Sequence, residues 1–204
     1  MNTLIGILSL QGDFPKHEEA FRRLKVRTRQ VRTEGDLEGL SGLVVPGGES
    51  TTLSRLLLPA FAGTTFAGTG FAERLRDFAS SHPVWGTCAG MILLCKDAGD
   101  ARVTCLGLLD AEVIRNGYGR QVHSFETDLA IPCLNEKMRT FRAVFIRAPR
   151  VVKVGPDVEV LARLDGPRFR GEPVMLKRGH LLATGFHPEL TDDLRIQQYF
   201  LSMF

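Results

Sequence analysis

Leu4 to Leu10 is a near-continuous apolar run of strand length that stops at Gln11-Gly12-Asp13. Unbroken apolarity over so short a stretch predicts a strand buried on both faces. The period then changes. Within Pro15 to Leu24 the apolar positions Ala20, Phe21 and Leu24 recur at helical spacing, so strand, turn and helix follow one another. The same unit returns twice. Gly42-Leu43-Val44-Val45 runs into Pro46-Gly47-Gly48 and a helix-compatible stretch, and Pro83-Val84-Trp85-Gly86 runs into Cys88-Ala89-Gly90 and Met91-Ile92-Leu93-Leu94. Buried strands alternating with helices predict an α/β fold, a three-layer α/β/α sandwich with a mostly parallel central sheet. After about Leu106 the character shifts to short β-rich segments at Glu112 to Arg115, Arg142 to Ile146, Val158 to Leu164 and His180 to Phe186. Asp192 to Phe204 then carries Leu194, Ile196, Tyr199, Phe200 and Met203 at the spacing of a closing helix.

Two segments stand apart. Phe61 to Ala72 repeats a Phe-Ala-Gly-Thr unit, and two copies are too few for a solenoid, so a loop insertion between helical pieces is expected. Arg22 to Arg32 holds six basic residues (Arg22, Arg23, Lys25, Arg27, Arg29 and Arg32) and no acid. That pattern fits either a phosphate-binding stripe or a solvated helix end followed by an edge strand blunted by charge.

Composition narrows the classes. The 204 residues are 44% hydrophobic and 24% charged, with 21 Gly and 10 Pro. These are ordinary values for a folded globular chain, and the length predicts one domain over residues 1–204. Lys plus Arg exceed Asp plus Glu by 26 to 23, and the resulting net charge of +3 argues for neither nucleic acid nor a membrane surface. No run approaches the ~20 apolar residues of a membrane span. The start lacks a basic leader and passes straight into strand pattern, which does not read as a secretory signal. Four cysteines, Cys88, Cys95, Cys105 and Cys133, show no Cys-x-x-Cys pair and no Cys/His ligand spacing. A reducing, cytoplasmic setting without a zinc site follows.

The strongest chemical signal is Gly86-Thr87-Cys88-Ala89-Gly90, where a buried strand turns into a helix. Glycines flanking a nucleophile permit a tight turn that lifts its side chain out of the sheet and leaves backbone N–H groups facing a developing oxyanion. The positive end of a helix dipole also favours thiolate, the attacking form. The alternative is a buried cysteine that only packs. A thiolate used for acyl transfer needs a proton carrier and a group to orient it. His187-Pro188-Glu189, at the end of an apolar strand, offers both, since residues two apart in extended chain project to one side. Alone it would equally be a turn whose carboxylate caps the last helix. Pro46-Gly47-Gly48-Glu49-Ser50-Thr51-Thr52 brings adjacent glycines after another buried strand, which allows close backbone approach to a ligand. Neither G-x-x-x-x-G-K-[ST] nor G-x-G-x-x-G is present, so a phosphate loop is excluded. Oxyanion donation or substrate contact remains, beside a plain turn in which Ser50 or Thr51 caps a helix.

Taken in order, Gly-Thr-Cys-Ala-Gly, Pro-Gly-Gly-Glu-Ser-Thr-Thr and His-Pro-Glu resemble a class I glutamine amidotransferase domain, which has a flavodoxin-like sandwich. Within that class, Leu10-Gln11-Gly12-Asp13, Arg115-Asn116-Gly117-Tyr118-Gly119-Arg120-Gln121, Ser124-Phe125-Glu126, Phe145-Ile146-Arg147-Ala148-Pro149 and Phe186-His187-Pro188-Glu189-Leu190-Thr191 are similar to the glutaminase subunit family of pyridoxal 5′-phosphate synthase, PdxT or Pdx2. The likeness covers nearly the whole chain. It implies hydrolysis of L-glutamine to glutamate and ammonia, with the ammonia passed to a synthase subunit of the PdxS or Pdx1 family, and no metal or organic cofactor. By motif, Cys88 is then the nucleophile, His187 the general acid/base and Glu189 its orienting group. Backbone N–H groups of Gly48 and Ala89 form the oxyanion hole. Glutamine contacts fall on Gly48, Glu49, Ser50, Arg115, Ile146 and Arg147, and Gln11 lies near the partner interface. Arg115 suits this role because a guanidinium grips a carboxylate bidentately, although an Arg at a strand end is commonly a surface charge.

The chain departs from the family pattern in its Phe-Ala-Gly-Thr segment, which lengthens the region between glycine loop and elbow. Met91 and Cys95 stand where aliphatic residues are usual, and Cys95, two helical turns after Cys88, reads as packing. Two other functions compete: the same glutaminase chemistry serving another synthase, and a non-catalytic redox or chaperone-like protein using an elbow cysteine. The second would not need His187 and Glu189 together with Arg115.

Overall fold

The computed structural model describes residues 3–57, 70–119, 124–134, 139–166, 169 and 171–204. Strand β1 (Leu4–Leu8) leads into helix α1 (Phe14–Arg23) and strand β2 (Arg27–Val31), and β3 (Gly42–Val45) leads into α2 (Ser50–Leu57). Next come α3 (Phe71–Ala79), β4 (Val84–Thr87) and α4 (Ala89–Leu94). The β-rich part holds β5 (Cys95–Asp97), β6 (Leu109–Ile114), β7 (Ser124–Leu129), β8 (Phe141–Ile146), β9 (Arg150–Val154), β10 (Glu159–Leu164), β11 (Glu172–Arg178) and β12 (Leu181–Thr184), and α5 (Arg195–Leu201) closes the chain.

Seven strands form the central sheet in the order β10-β11-β12-β4-β3-β1-β2. From β12 to β2 every pairing is parallel, and β10 and β11 add two antiparallel strands at one end. The strands alternate their side chains between two cores, as period-two geometry requires. Leu8, Leu43, Val45, Val84, Leu181 and Ala183 enter one, beneath α2, α3, α4 and the small β5-β6-β9 sheet. Ile5, Ile7, Val44, Trp85 and Leu182 enter the other, under α1, α5 and the β7-β8 hairpin. Helices thus cover both faces, and the predicted sandwich with its mostly parallel sheet is present.

Element ends differ from the sequence expectation. The first strand stops at Leu8, because the chain already turns toward Gly12, whose φ of 101° only glycine adopts cheaply. The strand expected at Glu112 to Arg115 is β6, which begins earlier and releases Arg115 into a turn. The strand expected at His180 to Phe186 is the shorter β12, and the closing helix covers only Arg195 to Leu201. The basic stretch resolves into the end of α1 and the edge strand β2, the second of its two readings. Gly70, Phe71 and Ala72 of the Phe-Ala-Gly-Thr segment cap and open α3, whereas residues 61–69 lie outside the described residues, as do Arg120 and Gln121.

Candidate active site

The parallel strands deliver their C-terminal ends to one edge of the sheet, where such folds bind ligands. Cys88 follows β4 directly and takes φ 48° and ψ −105°, a left-handed backbone that a non-glycine residue holds only when its surroundings enforce it. The surroundings do. A Cβ on Gly90 would lie 1.9 Å from the Val45 carbonyl oxygen, and one on Gly86 would lie 2.5 Å from the Gly90 carbonyl carbon. Both flanking glycines are therefore contacts of backbone on backbone, and the Cys88 amide is tied to the Thr184 carbonyl at 2.8 Å. Cys88 Sγ lies 3.6 Å from the Ile146 carbonyl oxygen.

His187 reaches the same point from the end of β12. Its Nδ1 is 2.7 Å from Glu189 Oε1, and the ring lies over Gly47 beside Cys88. Gly47 packs under the pair: a Cβ there would lie 2.5 Å from His187 Cε1 and 3.3 Å from Cys88 Cβ. Burial opposes a charge on His187, but the hydrogen bonds and negative charge of Cys88 and Glu189 outweigh it and push the imidazole up to about 10. Burial also works against the Glu189 carboxylate, and the histidines beside it, His17 and His187, hold it below its ordinary value. A protonated imidazole held against the Glu189 carboxylate is what these shifts describe. The reading of Glu189 as a cap for the last helix fails, since its carboxylate is buried against His187 rather than at the start of α5.

A cleft of about 390 Å³ opens over Cys88 and is lined by Gln11, Gly48, Glu49, Ser50, Ala89, Ile92, Arg115, Asn116, Ile146, Arg147 and His187. Every residue that the motifs suggest for glutamine contact or oxyanion donation borders it. Among the described residues, three of the four non-glycine residues with positive φ, Cys88, Asn116 and Arg147, do so as well. Strained backbone thus gathers around this cleft.

Glu49 organises one wall. Its carboxylate accepts from the amides of Thr51 and Thr52 and from both their hydroxyls, so Glu49, rather than Ser50 or Thr51, caps α2. Burial would raise its pKa, but those donors hold it down at about 2. Arg115 joins the same group, with Nη2 2.7 Å from Glu49 and Nη1 2.6 Å from Asp100. The guanidinium is no free surface charge. Gln11 Oε1 accepts from the Glu49 amide at 2.7 Å, so Gln11 braces the glycine loop and is no mere solvated turn residue. A larger open groove of about 910 Å³ along α1 and β2, lined by Arg22, Lys25, Arg27 and Arg29 among others, holds none of these groups.

Sequence reasoning missed His17, Thr87 and Asp100. His17 falls on the stripe of Ala20, Phe21 and Leu24, so a polar side chain on the inner face of α1 was the available signal. Thr87 sits inside the elbow motif and accepts from the Gly47 amide through Oγ1 at 3.0 Å. Asp100 carries no motif. Cys95 and Met91 are fully buried, and burial pushes the Cys95 thiol up, as packing residues require.

An elbow cysteine at the end of a central strand, backed by a histidine and a carboxylate on this sandwich, is the architecture of the class I glutamine amidotransferases. A sequence profile described as the SNO glutamine amidotransferase family matches residues 7–204, and the chain belongs to that family. The chain is 45% identical over 200 residues to the pyridoxal 5′-phosphate synthase subunit PdxT of Moorella thermoacetica, covering 98% of each chain. It is 47% identical over 199 residues to the protein of the same name from Pelotomaculum thermopropionicum, covering 97% of this chain and 93% of that one. A solved glutamine amidotransferase superposes with a TM-score of 0.84 at 44% identity, over 98% of this chain and 97% of the other. PurLQS from Thermotoga maritima, at 16% identity and a TM-score of 0.71 over 99% of both chains, shares the fold.

Proposed function

We propose that this chain hydrolyses L-glutamine to L-glutamate and ammonia at Cys88, and hands the ammonia to a synthase subunit that builds pyridoxal 5′-phosphate. The observation that carries the reading is His187, held 2.7 Å from the buried Glu189, standing beside Cys88 at the floor of a cleft with Arg115 on its wall. In this reading the Cys88 thiolate attacks the carboxamide carbon, and the amides of Gly48 and Ala89 receive the oxyanion. Ala89 is suited to this because the first amides of a helix have no acceptor within it. His187 gives its proton to the departing nitrogen, and ammonia leaves behind a glutamyl thioester. Water then attacks the thioester carbonyl with His187 as base, releasing glutamate and restoring the thiol. Glu189 keeps the imidazole oriented and its charge balanced.

Glu49, Ser50, Ile146 and Arg147 frame the amino-acid end of the substrate, and Arg115 takes its α-carboxylate. Two of the five guanidinium N–H groups are engaged by Glu49 and Asp100, which fixes the plane and leaves others to donate. No step calls for a metal or organic cofactor. Residues 1–204 act as one domain, and four free cysteines suit a reducing cytoplasm. Among the described residues no helix is long and apolar enough to cross a membrane. The synthase partner, of the PdxS or Pdx1 family, is favoured over other ammonia acceptors by the PdxT name of the relatives, and Gln11 stands near where it would dock.

The test is release of glutamate and ammonia from L-glutamine by the purified chain, alone and with a pyridoxal 5′-phosphate synthase subunit. Release that rises with the synthase is expected. Release indifferent to it would overturn the pathway, and none in either case would overturn the chemistry.

A further inference from the structure

One buried titratable side chain at the site has no part in the steps above. His17 is fully buried on the inner face of α1, which packs against the turn Pro188–Leu190. Its Nε2 lies 3.5 Å from Glu189 Oε2, the carboxylate oxygen that His187 does not take, and 3.3 Å from Thr87 Oγ1. The ring stands edge-on to Trp85, with centroids 5.6 Å apart, and its Nδ1 has no hydrogen-bond partner. Burial dominates its titration and lowers its pKa, with Glu189 and Asp13 pulling the other way and His187 adding to the fall, so the ring is neutral.

A neutral imidazole carries one proton, and the neighbours decide where. On Nδ1 it would bury an unpaired donor and turn the Nε2 lone pair toward a carboxylate. On Nε2 it points between Thr87 Oγ1 and Glu189 Oε2, a buried carboxylate oxygen with no other hydrogen-bond partner, and the negative charge there favours this tautomer although Nδ1 and the Thr87 hydroxyl proton stay unpaired. Thr87 Oγ1 in turn receives the Gly47 amide at 3.0 Å. One ring therefore touches the carboxylate behind the general acid and the threonine that holds the glycine loop.

We propose that His17 is a positioning residue for this reaction, its Nε2–H holding the outer oxygen of Glu189 and the hydroxyl of Thr87 so that His187 and the Gly47-Gly48 loop keep their mutual placement. This rests on the glutaminase reading of Cys88. It differs from a packing role in depending on one N–H at one place, and three substitutions separate the two. His17→Gln puts an amide N–H near the Nε2 position, His17→Asn puts it near Nδ1, and His17→Phe fills the space without a donor.

The experiment measures glutamine hydrolysis with the synthase subunit present, and in parallel the rate at which iodoacetamide alkylates Cys88, read on the Cys88 peptide by mass spectrometry. His17→Asn and His17→Phe should lower kcat roughly 10- to 100-fold, the worth of a hydrogen bond to a charged group, with KM within about twofold. Alkylation should slow in the same order, and His17→Gln should restore most of both losses. In a Glu189→Gln background His17→Phe should cost less than about twofold more, because an effect exerted through Glu189 does not add to its loss. Equal losses for Gln, Asn and Phe, or the same factor in both backgrounds, would overturn the proposal. Should His17→Phe fail to fold, the Gln and Asn pair carries the comparison. Should the parent turn over no glutamine, the glutaminase reading fails, and the alkylation rates still decide the placement of His17.

Discussion

Gly47→Ala puts a methyl group into the gap between the two reacting side chains. Its Cβ would sit 2.5 Å from His187 Cε1, 3.1 Å from His187 Nδ1 and 3.3 Å from Cys88 Cβ. Carbon atoms rest at about 3.5–4.0 Å, so the imidazole must retreat by about 1 Å or the loop must lift by as much. Neither is free to move. His187 is held by Glu189 at 2.7 Å through its ring and by the Val144 carbonyl at 2.8 Å through its amide. The Gly47 amide is held on Thr87, and its carbonyl oxygen lies against Gly12, where a Cβ would come within 1.9 Å. A misplacement of about 1 Å at a reacting group costs on the order of 100-fold in rate. We therefore expect kcat for glutamine hydrolysis to fall about 100-fold with KM little changed, and stability to fall by about 1–3 kcal/mol through overpacking. Stopped-time glutamate release with the synthase subunit present measures the first, and urea unfolding the second. A folded Gly47→Ala protein with kcat within about threefold of its parent would refute the packing of His187 over this loop.

Cys88→Ala should abolish glutamine hydrolysis while leaving the protein folded, since alanine accepts the same backbone conformation; retained turnover would move the nucleophile elsewhere. Arg115→Ala should raise KM for glutamine about tenfold or more with a smaller effect on kcat, and an unchanged KM would remove Arg115 from the substrate site. His187 is raised from 6.5 to about 10 on folding, so its stabilisation is complete below about pH 6.5 and is lost as pH rises toward 10. Cys88→Ala removes one of the two groups that raise it, so melting temperatures at pH 6, 8 and 10 should fall less steeply for the variant than for the parent; parallel profiles would refute the Cys88–His187 pairing.

Most of the fold was legible because buried parallel strands write themselves as apolar runs closed by glycine turns, as β1, β3 and β4 do. The antiparallel half was harder. Strands β6 and β8 alternate buried and exposed side chains, while β5 and β9 are too short or too mixed to announce a period. The elbow, the glycine loop and the His187–Glu189 pair were legible because each combines a residue type with a position at a strand end, whereas the glutamine contacts were drawn from the family resemblance alone. Pairings across long stretches of chain were not. Nothing local ties Asp100 to Arg115, Gln11 to Glu49 or His17 to Glu189, and each pair meets only because the sheet brings its loops to one edge.

All six residues of α4 are buried, and the helix is locked to the sheet through Gly90 and the Val45 carbonyl. Cys88 thus stands on ground that yields only when the domain as a whole opens, and amide exchange at Ala89 to Leu94 should match the slowest in the molecule. The glycine loop opposite is fastened at two points, the Thr87 hydroxyl and the Gln11 carboxamide, each through one hydrogen bond from its backbone. Displacing the loop breaks those two bonds and its packing on Gly12 and His187, whereas displacing the cysteine requires the core itself to open.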